Sequence, residues 1–316
     1  MRKAFVDALI ALAQQDERVM LLTADLGYAA LEPFAQAFPN RFFNMGVAEQ
    51  NMLAVATGLA EAGLVPFCYS IVNFATLRPY EFIRNGPVLH RWPVRIVGVG
   101  GGIEYPTNGA SHYGLEDVGA LRVLPDLAIY APADSAQTRQ VIATTANTPG
   151  PVYYRLGKTD LTVPGLDGRF TPGCPEHLVQ GRDVLLLSLG GMATTAVAAA
   201  QALASEGIAA GVGVASSLHP VDVKRFASLL CTYSIVVTIE AHFRVGALGS
   251  LTAEIIAEQA LPIRLVRCAV ASLPDGITGN QAFMYDRHAI GPTQIAAAAR
   301  TALGDAAKGK RSSPAQ

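Results

Sequence analysis

The sequence predicts an α/β protein of two domains, each with a mostly parallel sheet flanked by helices. Strand-like apolar runs alternate with helical periodicity, this alternation occurs twice, and a stretch rich in proline and glycine separates the two series. A chain of 316 residues is long enough to bury two cores. We therefore predict a first domain over 1–157, a linker over 158–182, a second domain over 183–303 and a disordered tail over 304–316.

The first series begins with an amphipathic pattern over 2–15, which is typical of a helix. Buried strands are predicted at 19–23, 65–69, 94–99, 127–130 and 152–154, with helices at about 48–63 and 78–90 and a further helix for which Asp134 is the N-cap. Repeated strand–helix alternation indicates a parallel sheet covered on both faces.

The second series has the same character. Its predicted strands are 184–189, 208–214, 235–239 and 263–266, and its predicted helices are about 192–205, 222–230, 248–259 and 292–303.

Composition excludes several classes of protein. Apolar residues make up 51% and charged residues 16%, with a net charge of −1, which is unlike a disordered chain or a basic nucleic-acid binder and gives no attraction to anionic membranes. Polar residues such as Asp7 interrupt the apolar start, so we predict no targeting signal. Glycines and Glu206 likewise break the apolar stretch 184–221, so no membrane span is predicted.

The four cysteines are widely scattered and include no Cys-x-x-Cys pair. This spacing does not favour a disulfide framework or a zinc site, and it fits a reducing cytoplasm.

Glu49 opens the predicted helix that follows a short turn at 43–48. A carboxylate in the first turn can simply complement the positive end of a helix. In apolar surroundings it can instead keep and share a proton near neutral pH, as acid–base chemistry requires. The residues alone leave both readings open.

Two further polar residues follow predicted strands. Asp25 comes after the strand at 19–23, where open α/β sheets carry sites, although an aspartate can also close a turn. His112 ends a loop that begins with three glycines at 100–102, and these glycines lack the spacing of a dinucleotide fingerprint. A loop histidine is either a solvated residue or an acid–base group.

Several ordered segments resemble the transketolase family and its relative deoxyxylulose-phosphate synthase. They are Gly46-Val47-Ala48-Glu49-Gln50-Asn51, Phe74-Ala75-Thr76 with Arg78-Pro79-Tyr80, Gly109-Ala110-Ser111-His112 with Leu115-Glu116-Asp117, Ala131-Pro132-Ala133-Asp134, and Tyr154-Arg155-Leu156-Gly157. The likeness covers roughly residues 4–302. It corresponds to the C-terminal half of the family, a pyrimidine-binding domain followed by the transketolase C-terminal domain.

The resemblance implies thiamine diphosphate as cofactor and gives roles to particular residues. Glu49 would hydrogen-bond the pyrimidine nitrogen, and Phe74 would stack on the ring, which contributes roughly 1 kcal/mol beyond area burial. His112 would polarise the substrate carbonyl or move protons. The remaining expected cofactor contacts are Ile71 and Leu77, which would form an aliphatic wall where some transketolases have aromatics, and Asp25.

The resemblance implies two-carbon ketol transfer, and it leaves the donor and the acceptor open. Asn108 stands where related loops carry an aspartate that recognises sugar hydroxyls, and Gly100 and Gly101 stand where others contact the acceptor. Arg155 would hold a phosphate or carboxylate, unless it is an exposed ion-pair partner.

Half of the family's site is missing from this chain. The Gly-Asp-Gly motif and following asparagine that bind the diphosphate and its Mg²⁺ do not occur. The resemblance therefore implies an N-terminal partner subunit that supplies them, in an α2β2 heterotetramer, and we predict no metal ligands in this chain. The chain alone should bind the cofactor weakly and should not catalyse.

Two alternatives remain. The β subunit of a 2-oxoacid dehydrogenase shares this architecture and would deliver an acyl group to a lipoyl carrier, although the His112 loop favours transketolase. A scaffold or regulatory subunit is the non-enzymatic alternative, and the presence of Glu49 and Phe74 weighs against it. In the second domain, which supports dimerisation in the family, we interpret the cluster of Glu240, His242 and Arg244 as structural.

Overall fold

The computed structural model describes residues 1–272 and 275–311, with 307–311 described by their backbone alone. The helices are α1 Arg2–Gln15, α2 Glu32–Ala37, α3 Glu49–Glu61, α4 Val72–Thr76, α5 Tyr80–Ile83, α6 Asp117–Arg122, α7 Ser135–Thr145, α8 Ala193–Ala204, α9 Val223–Leu230, α10 Leu248–Glu258, α11 Gln281–Arg287 and α12 Pro292–Arg311. The strands are β1 Val19–Thr23, β2 Phe42–Asn44, β3 Val65–Ile71, β4 Arg95–Val99, β5 Ala128–Tyr130, β6 Val152–Leu156, β7 Glu176–Val179, β8 Val184–Leu189, β9 Ala210–Ala215, β10 Ser217–His219, β11 Ile235–Phe243 and β12 Arg264–Val270.

The first sheet has seven strands in the order β10-β5-β6-β4-β3-β1-β2. All neighbours are parallel except β10, which runs antiparallel to β5. Thr23 at the end of β1 lies opposite Asn44 of β2 and Tyr69 of β3. The carboxyl ends of β4, β3, β1 and β2 therefore share one edge, where open α/β sheets place their sites.

The second sheet has five strands in the order β12-β11-β8-β9-β7, parallel except for β7. The predicted fold class is thus confirmed. Strand β7 lies inside the segment that we predicted to be a linker, and it pairs Glu176 with Val214. A four-residue edge strand that is not fully buried carries too little periodicity to be recognised among prolines and glycines.

Strand β10 connects the second half of the chain to the first sheet. It follows the first strands of the second series, yet it completes the edge of the first sheet by pairing Ser217 with Tyr130. Ser216 beside it accepts a hydrogen bond from the Ala131 amide at 2.9 Å and donates to the side chain of Gln137 at 2.8 Å. Residues 216–219 thus hydrogen-bond the second half of the chain to the first sheet.

Most predicted elements agree with the structure, including Asp134, whose carboxylate accepts from the Gln137 amide at 2.7 Å. The helix predicted over 78–90 begins at Tyr80, directly after Pro79, and runs to His90. Its middle turn, Arg84–Val88, is π-helical and contains Pro87, which lacks the amide donor of a regular helix. Helix α12 continues to Arg311, past the predicted end near 303. Of the predicted disordered tail, 312–316 lie outside the described residues.

Helix α3 packs one apolar face against the first sheet, through Met52, Leu53, Ala56 and Ala60. Burying a Met or Leu side chain contributes about 1.5–3 kcal/mol, so this face fixes the helix in place. Glu49 lies on the same buried face. Among the described residues, no helix is long and apolar enough to span a bilayer.

Candidate active site

The edge formed by the carboxyl ends of β4, β3, β1 and β2 collects most of the predicted site residues. Asp25 follows β1, Glu49 opens the helix after β2, Phe74 lies in α4 directly after β3, and His112 ends the loop after β4. Parallel strand order thus brings together residues that are far apart in sequence.

Glu49 is held by a tight turn. Gly46 has φ of +71° and its amide donates to the side chain of Asn44 at 3.0 Å. Glu49 is only 1% exposed, and its Oε2 lies 2.7 Å from Nη1 of Arg78. Ser70 Oγ lies 3.4 Å from Oε1. The expected apolar surroundings of this carboxylate therefore include a cation that we did not predict.

Phe74 connects this ion pair to the loop histidine. The Cζ atom of Arg78 lies 4.3 Å from the centroid of the Phe74 ring, in a cation–π contact. The His112 ring meets the same phenyl group edge-on, with centroids 5.3 Å apart and planes at 68°. Glu49, Arg78, Phe74 and His112 form one cluster, which we call the edge cluster.

The loop that carries His112 is anchored next to α4. Nδ1 of His112 lies 3.0 Å from Oγ of Ser111, and the Ser111 carbonyl accepts from the side-chain amide of Asn73 at 2.8 Å. The imidazole is half-buried, so it is fixed in position while still open to a ligand. This combination suits a group that moves protons.

The other predicted cofactor contacts are less closely placed. Ile71 is buried at the end of β3, whereas Leu77 is exposed. Asp25 has φ of +56° and accepts hydrogen bonds from Asn44 and Tyr28, which lower the pKa of its carboxyl. Among the described residues, no hydrogen bond joins Asp25 to the edge cluster.

Arg155 lies elsewhere than its predicted substrate role requires. Its Nε lies 2.8 Å from Asp117 Oδ2, and its Nη2 donates to the carbonyls of Gly114 and Ala241 at 2.9 and 3.0 Å. The guanidinium is thus buried where the two sheets meet. Asp117 compensates its charge there, and backbone carbonyls accept its hydrogen bonds. These contacts give no support to phosphate or carboxylate binding by Arg155, nor to the alternative of an exposed ion pair.

The unusual glycines after β4 make room for other side chains. A Cβ atom on Gly101 would lie 2.7 Å from Cζ of Arg155, and one on Gly100 would collide with the ring of Tyr105. Asn108 is exposed, and its amide donates to the Tyr105 carbonyl at 3.0 Å.

Sequence reasoning missed two basic residues near the edge cluster. Arg78 follows Phe74 by four positions, a spacing that places side chains on one side of a helical turn and that could have revealed the contact. Lys158 directly follows Gly157 after β6, and its Nζ lies 4.5 Å from the Tyr105 ring centroid. Tyr105 lies against His112, with ring centroids 6.2 Å apart.

A cavity of about 360 Å³ opens beside Lys158. Arg2 and Lys3 bring two more positive charges to its wall, while Asp7 and Asp160 bring negative ones. Lys3 is paired with Asp7 at 2.9 Å, whereas Arg2 donates to the Lys158 carbonyl at 3.3 Å. Three cationic and two anionic side chains therefore line this cavity, and its Lys158 contacts Tyr105, which lies against His112.

The edge cluster fits the pyrimidine part of thiamine diphosphate. It offers a buried carboxylate beside an aromatic face, and Oδ1 of the neighbouring Asn73 is buried without a hydrogen-bond partner in the described part of the chain. No group of three or more His, Cys, Asp or Glu residues in that part could hold a metal ion. By its fold and its site, the chain is a pyrimidine-binding domain joined to a second α/β domain.

Comparison with known proteins agrees with this class. The model of the transketolase pyrimidine-binding domain matches residues 1–164, and that of the transketolase C-terminal domain matches residues 174–295. The chain belongs to the transketolase family and corresponds to its C-terminal half.

The relatives include components of split transketolases. The chain is 36% identical to the 6-deoxy-6-sulfo-D-fructose transketolase subunit SqwH of a Clostridium species, with 84% of each chain covered. It is 33% identical to a subunit of the apulose-4-phosphate transketolase of Phocaeicola vulgatus, covering 84% of this chain and 86% of that protein. A solved structure described as a split gene transketolase, inactive β4 tetramer, matches with a TM-score of 0.85, 37% identity and 96% and 97% coverage.

Proposed function

We propose that this chain is the pyrimidine-binding subunit of a two-subunit transketolase, which transfers a two-carbon ketol unit from a ketose donor to an aldehyde acceptor with thiamine diphosphate. The observation that carries the proposal is the edge cluster, where a buried Glu49 lies beside Phe74 and an accessible His112. Matches to transketolase subunits over most of the chain favour this function over the 2-oxoacid dehydrogenase alternative.

Each residue of the cluster has a distinct task. Glu49 hydrogen-bonds the pyrimidine nitrogen and holds a proton there, and Phe74 orients the ring through its face. His112 polarises the substrate carbonyl and exchanges protons with the oxygen atoms of the substrate. When bound, thiamine diphosphate supplies the nucleophilic carbon that carries the two-carbon unit.

A partner subunit completes the site. It carries the domain that binds the diphosphate and Mg²⁺, and two copies of each subunit form a heterotetramer. The family matches cover only the pyrimidine-binding and C-terminal domains, which supports this division. All four cysteines are free, in keeping with a reducing cytoplasm.

The cavity beside Lys158 receives the anionic end of the substrate. An ammonium group and a guanidinium at its wall suit a phosphate, sulfonate or carboxylate. Two relatives are named for sugars that carry a phosphate or a sulfonate, which supports an anionic substrate here.

Calorimetric titration of thiamine diphosphate with Mg²⁺ tests the shared site. We expect binding by the complex of this chain with the subunit that carries the diphosphate-binding domain, and weak binding by either subunit alone. Tight stoichiometric binding by this chain alone would show that the cofactor is not divided between two subunits.

Lys158→Ala tests the substrate cavity. We expect KM for an anionic ketose to rise about tenfold with kcat little changed, because a charge-assisted contact is lost in both ground and transition states. Lys224→Ala is the matched control, since Lys224 is exposed on α9 and does not line this cavity. Unchanged KM in Lys158→Ala would exclude this cavity as the anion site.

A further inference from the structure

Arg78 contacts both residues that we assign to the pyrimidine ring. Its Nη1 donates to Oε2 of Glu49 at 2.7 Å, and its Cζ lies 4.3 Å from the Phe74 centroid. A guanidinium is flat and rich in donors, so it stacks on an aromatic face and hydrogen-bonds in its own plane. An aminopyrimidine ring has the same shape, and it would need the same carboxylate and the same phenyl group.

Arg78 is the main polar partner of Glu49. The carboxylate is almost completely buried, and among the described residues its only other hydrogen bond with a side chain is the one that it accepts from Ser70 Oγ at 3.4 Å. A ligand that bonds this carboxylate therefore has to compete with the Arg78 guanidinium. His112 lies beyond Phe74 and has no hydrogen bond to Glu49.

A pyrimidine ring and Arg78 cannot use Glu49 and Phe74 in the same way at the same time. Nη1 of Arg78 already donates to Oε2 of Glu49, and the guanidinium already covers the face of Phe74. Arg78 is 39% exposed, so its guanidinium can turn into water at small cost.

We propose that Arg78 is a placeholder for the pyrimidine ring: it occupies Glu49 and the face of Phe74 until the ring binds, and it turns away into water when the ring takes its place. This proposal rests on the proposed function, since it assumes that Glu49 and Phe74 form the pyrimidine site. Arg78 is a positioning residue in this scheme, because it acts through Glu49 and gives way to the cofactor.

Calorimetric titration of thiamine diphosphate with Mg²⁺ into the assembled two-subunit complex measures this competition. We expect about fivefold tighter binding by Arg78→Ala than by the wild type, because the competing guanidinium is gone.

Arg78→Gln should behave like Arg78→Ala, and Arg78→Lys should bind the cofactor about as tightly as the wild type, since only the latter retains a cation that competes for Glu49. The matched control is Arg18→Ala, which removes an exposed arginine paired with Asp16 at the same 2.7 Å. Equal or weaker cofactor binding by Arg78→Ala than by the wild type would overturn the proposal. Unchanged binding and turnover in Glu49→Gln would instead contradict the proposed function.

Discussion

Two clusters in this chain combine a carboxylate, an arginine and a histidine, and they differ in what they face. In the edge cluster, Glu49 pairs with Arg78 and Phe74 separates them from His112. Arg78 is 39% exposed and the histidine is half-buried. Each of these groups can therefore exchange a protein contact for a contact with a ligand.

The second group, which we call the junction cluster, consists of Asp117, Arg155, His242 and Glu240 where the two sheets meet. Arg155 is 9% exposed and pairs with Asp117 at 2.8 Å. Burial lowers the pKa of His242, and its Nε2 accepts from the Gly119 amide at 3.2 Å. The side chains of Arg155 and His242 are thus bonded to groups within the protein, whereas Oδ1 of Asp117 and Oε2 of Glu240 are buried without a hydrogen-bond partner among the described residues.

The difference shows that residue type alone does not identify a catalytic cluster. Both clusters hold charges that are expensive to bury, and in both an arginine compensates a carboxylate. Only the edge cluster has an arginine that can leave at small cost and an aromatic face beside it. The interpretation of Glu240, His242 and Arg244 as structural stays a prediction: Glu240 and His242 are buried, whereas Arg244 is exposed.

Among the variants of both clusters, Glu49→Gln should have the largest effect on activity. We expect kcat of the assembled complex to fall by about 10²–10⁴-fold, the range for losing an acid–base group, while assembly is retained. Glu61→Gln at the other end of α3 is the matched control. Steady-state kinetics with size-exclusion chromatography checks this, and full activity in Glu49→Gln would remove the acid–base role.

Asp117→Asn, in the junction cluster, should instead act mainly on stability. It leaves Arg155 buried without a counter-charge, so we expect the free energy of unfolding to fall by about 3–5 kcal/mol. Asp126→Asn, which breaks an exposed pair with Arg91, should cost less than about 1 kcal/mol. Urea unfolding of the full chain measures the free energy of unfolding of both variants. Similar losses in the two variants would contradict the difference between the buried and the exposed ion pair.

Glu240→Gln should change how stability depends on pH. Burial raises the pKa of Glu240 to about 7. A carboxyl with a raised pKa in the folded protein stabilises it at low pH, and this contribution is lost as pH rises from about 4.5 to 7. The lowered pKa of His242 acts in the opposite sense, but it is common to both proteins.

Between pH 4.5 and 7.5, the free energy of unfolding of the wild type should therefore fall relative to Glu240→Gln by at most about 3 kcal/mol. Urea titrations at several pH values measure this difference. Glu258→Gln, at the end of α10, should run parallel to the wild type. Parallel curves for Glu240→Gln would show that the carboxyl does not titrate in this range.

The smallest effect is expected for Phe74→Ala. Loss of one aromatic stacking contact should weaken cofactor binding by about 1 kcal/mol, roughly fivefold, with little change in stability because Phe74 is half-buried. Phe283→Ala, an exposed phenylalanine on α11, serves as the control. Calorimetry of the assembled complex checks this, and equal affinities for both variants would exclude the stacking role.

The pattern of apolar residues along the sequence predicted much of the fold, because helices and buried parallel strands place apolar residues at different spacings. The helix over 2–15 and the strand over 19–23 agree with α1 and β1. Strands β2, β7 and β10 were missed because they are short edge strands, defined by the strands that they pair with rather than by their own residues.

The resemblance to the transketolase family predicted roles for Glu49, Phe74 and His112 but not for Arg78. The ion pair of Arg78 with Glu49 spans 29 positions, and the burial of Arg155 depends on Ala241 of the other sheet. Such contacts follow from how the elements pack, which no local pattern contains. The contact of Lys158 with Tyr105 likewise depends on how the loops pack against each other.

Strand β10 has a consequence for dividing this protein by engineering. Cutting within 158–182 would separate the two series of strands, but it would also remove β10 from β5 and expose the hydrogen-bonding groups of Tyr130 and its neighbours. A bare strand edge is a template for aggregation. The transferable module for building chimeric two-subunit enzymes is therefore the pair of domains together.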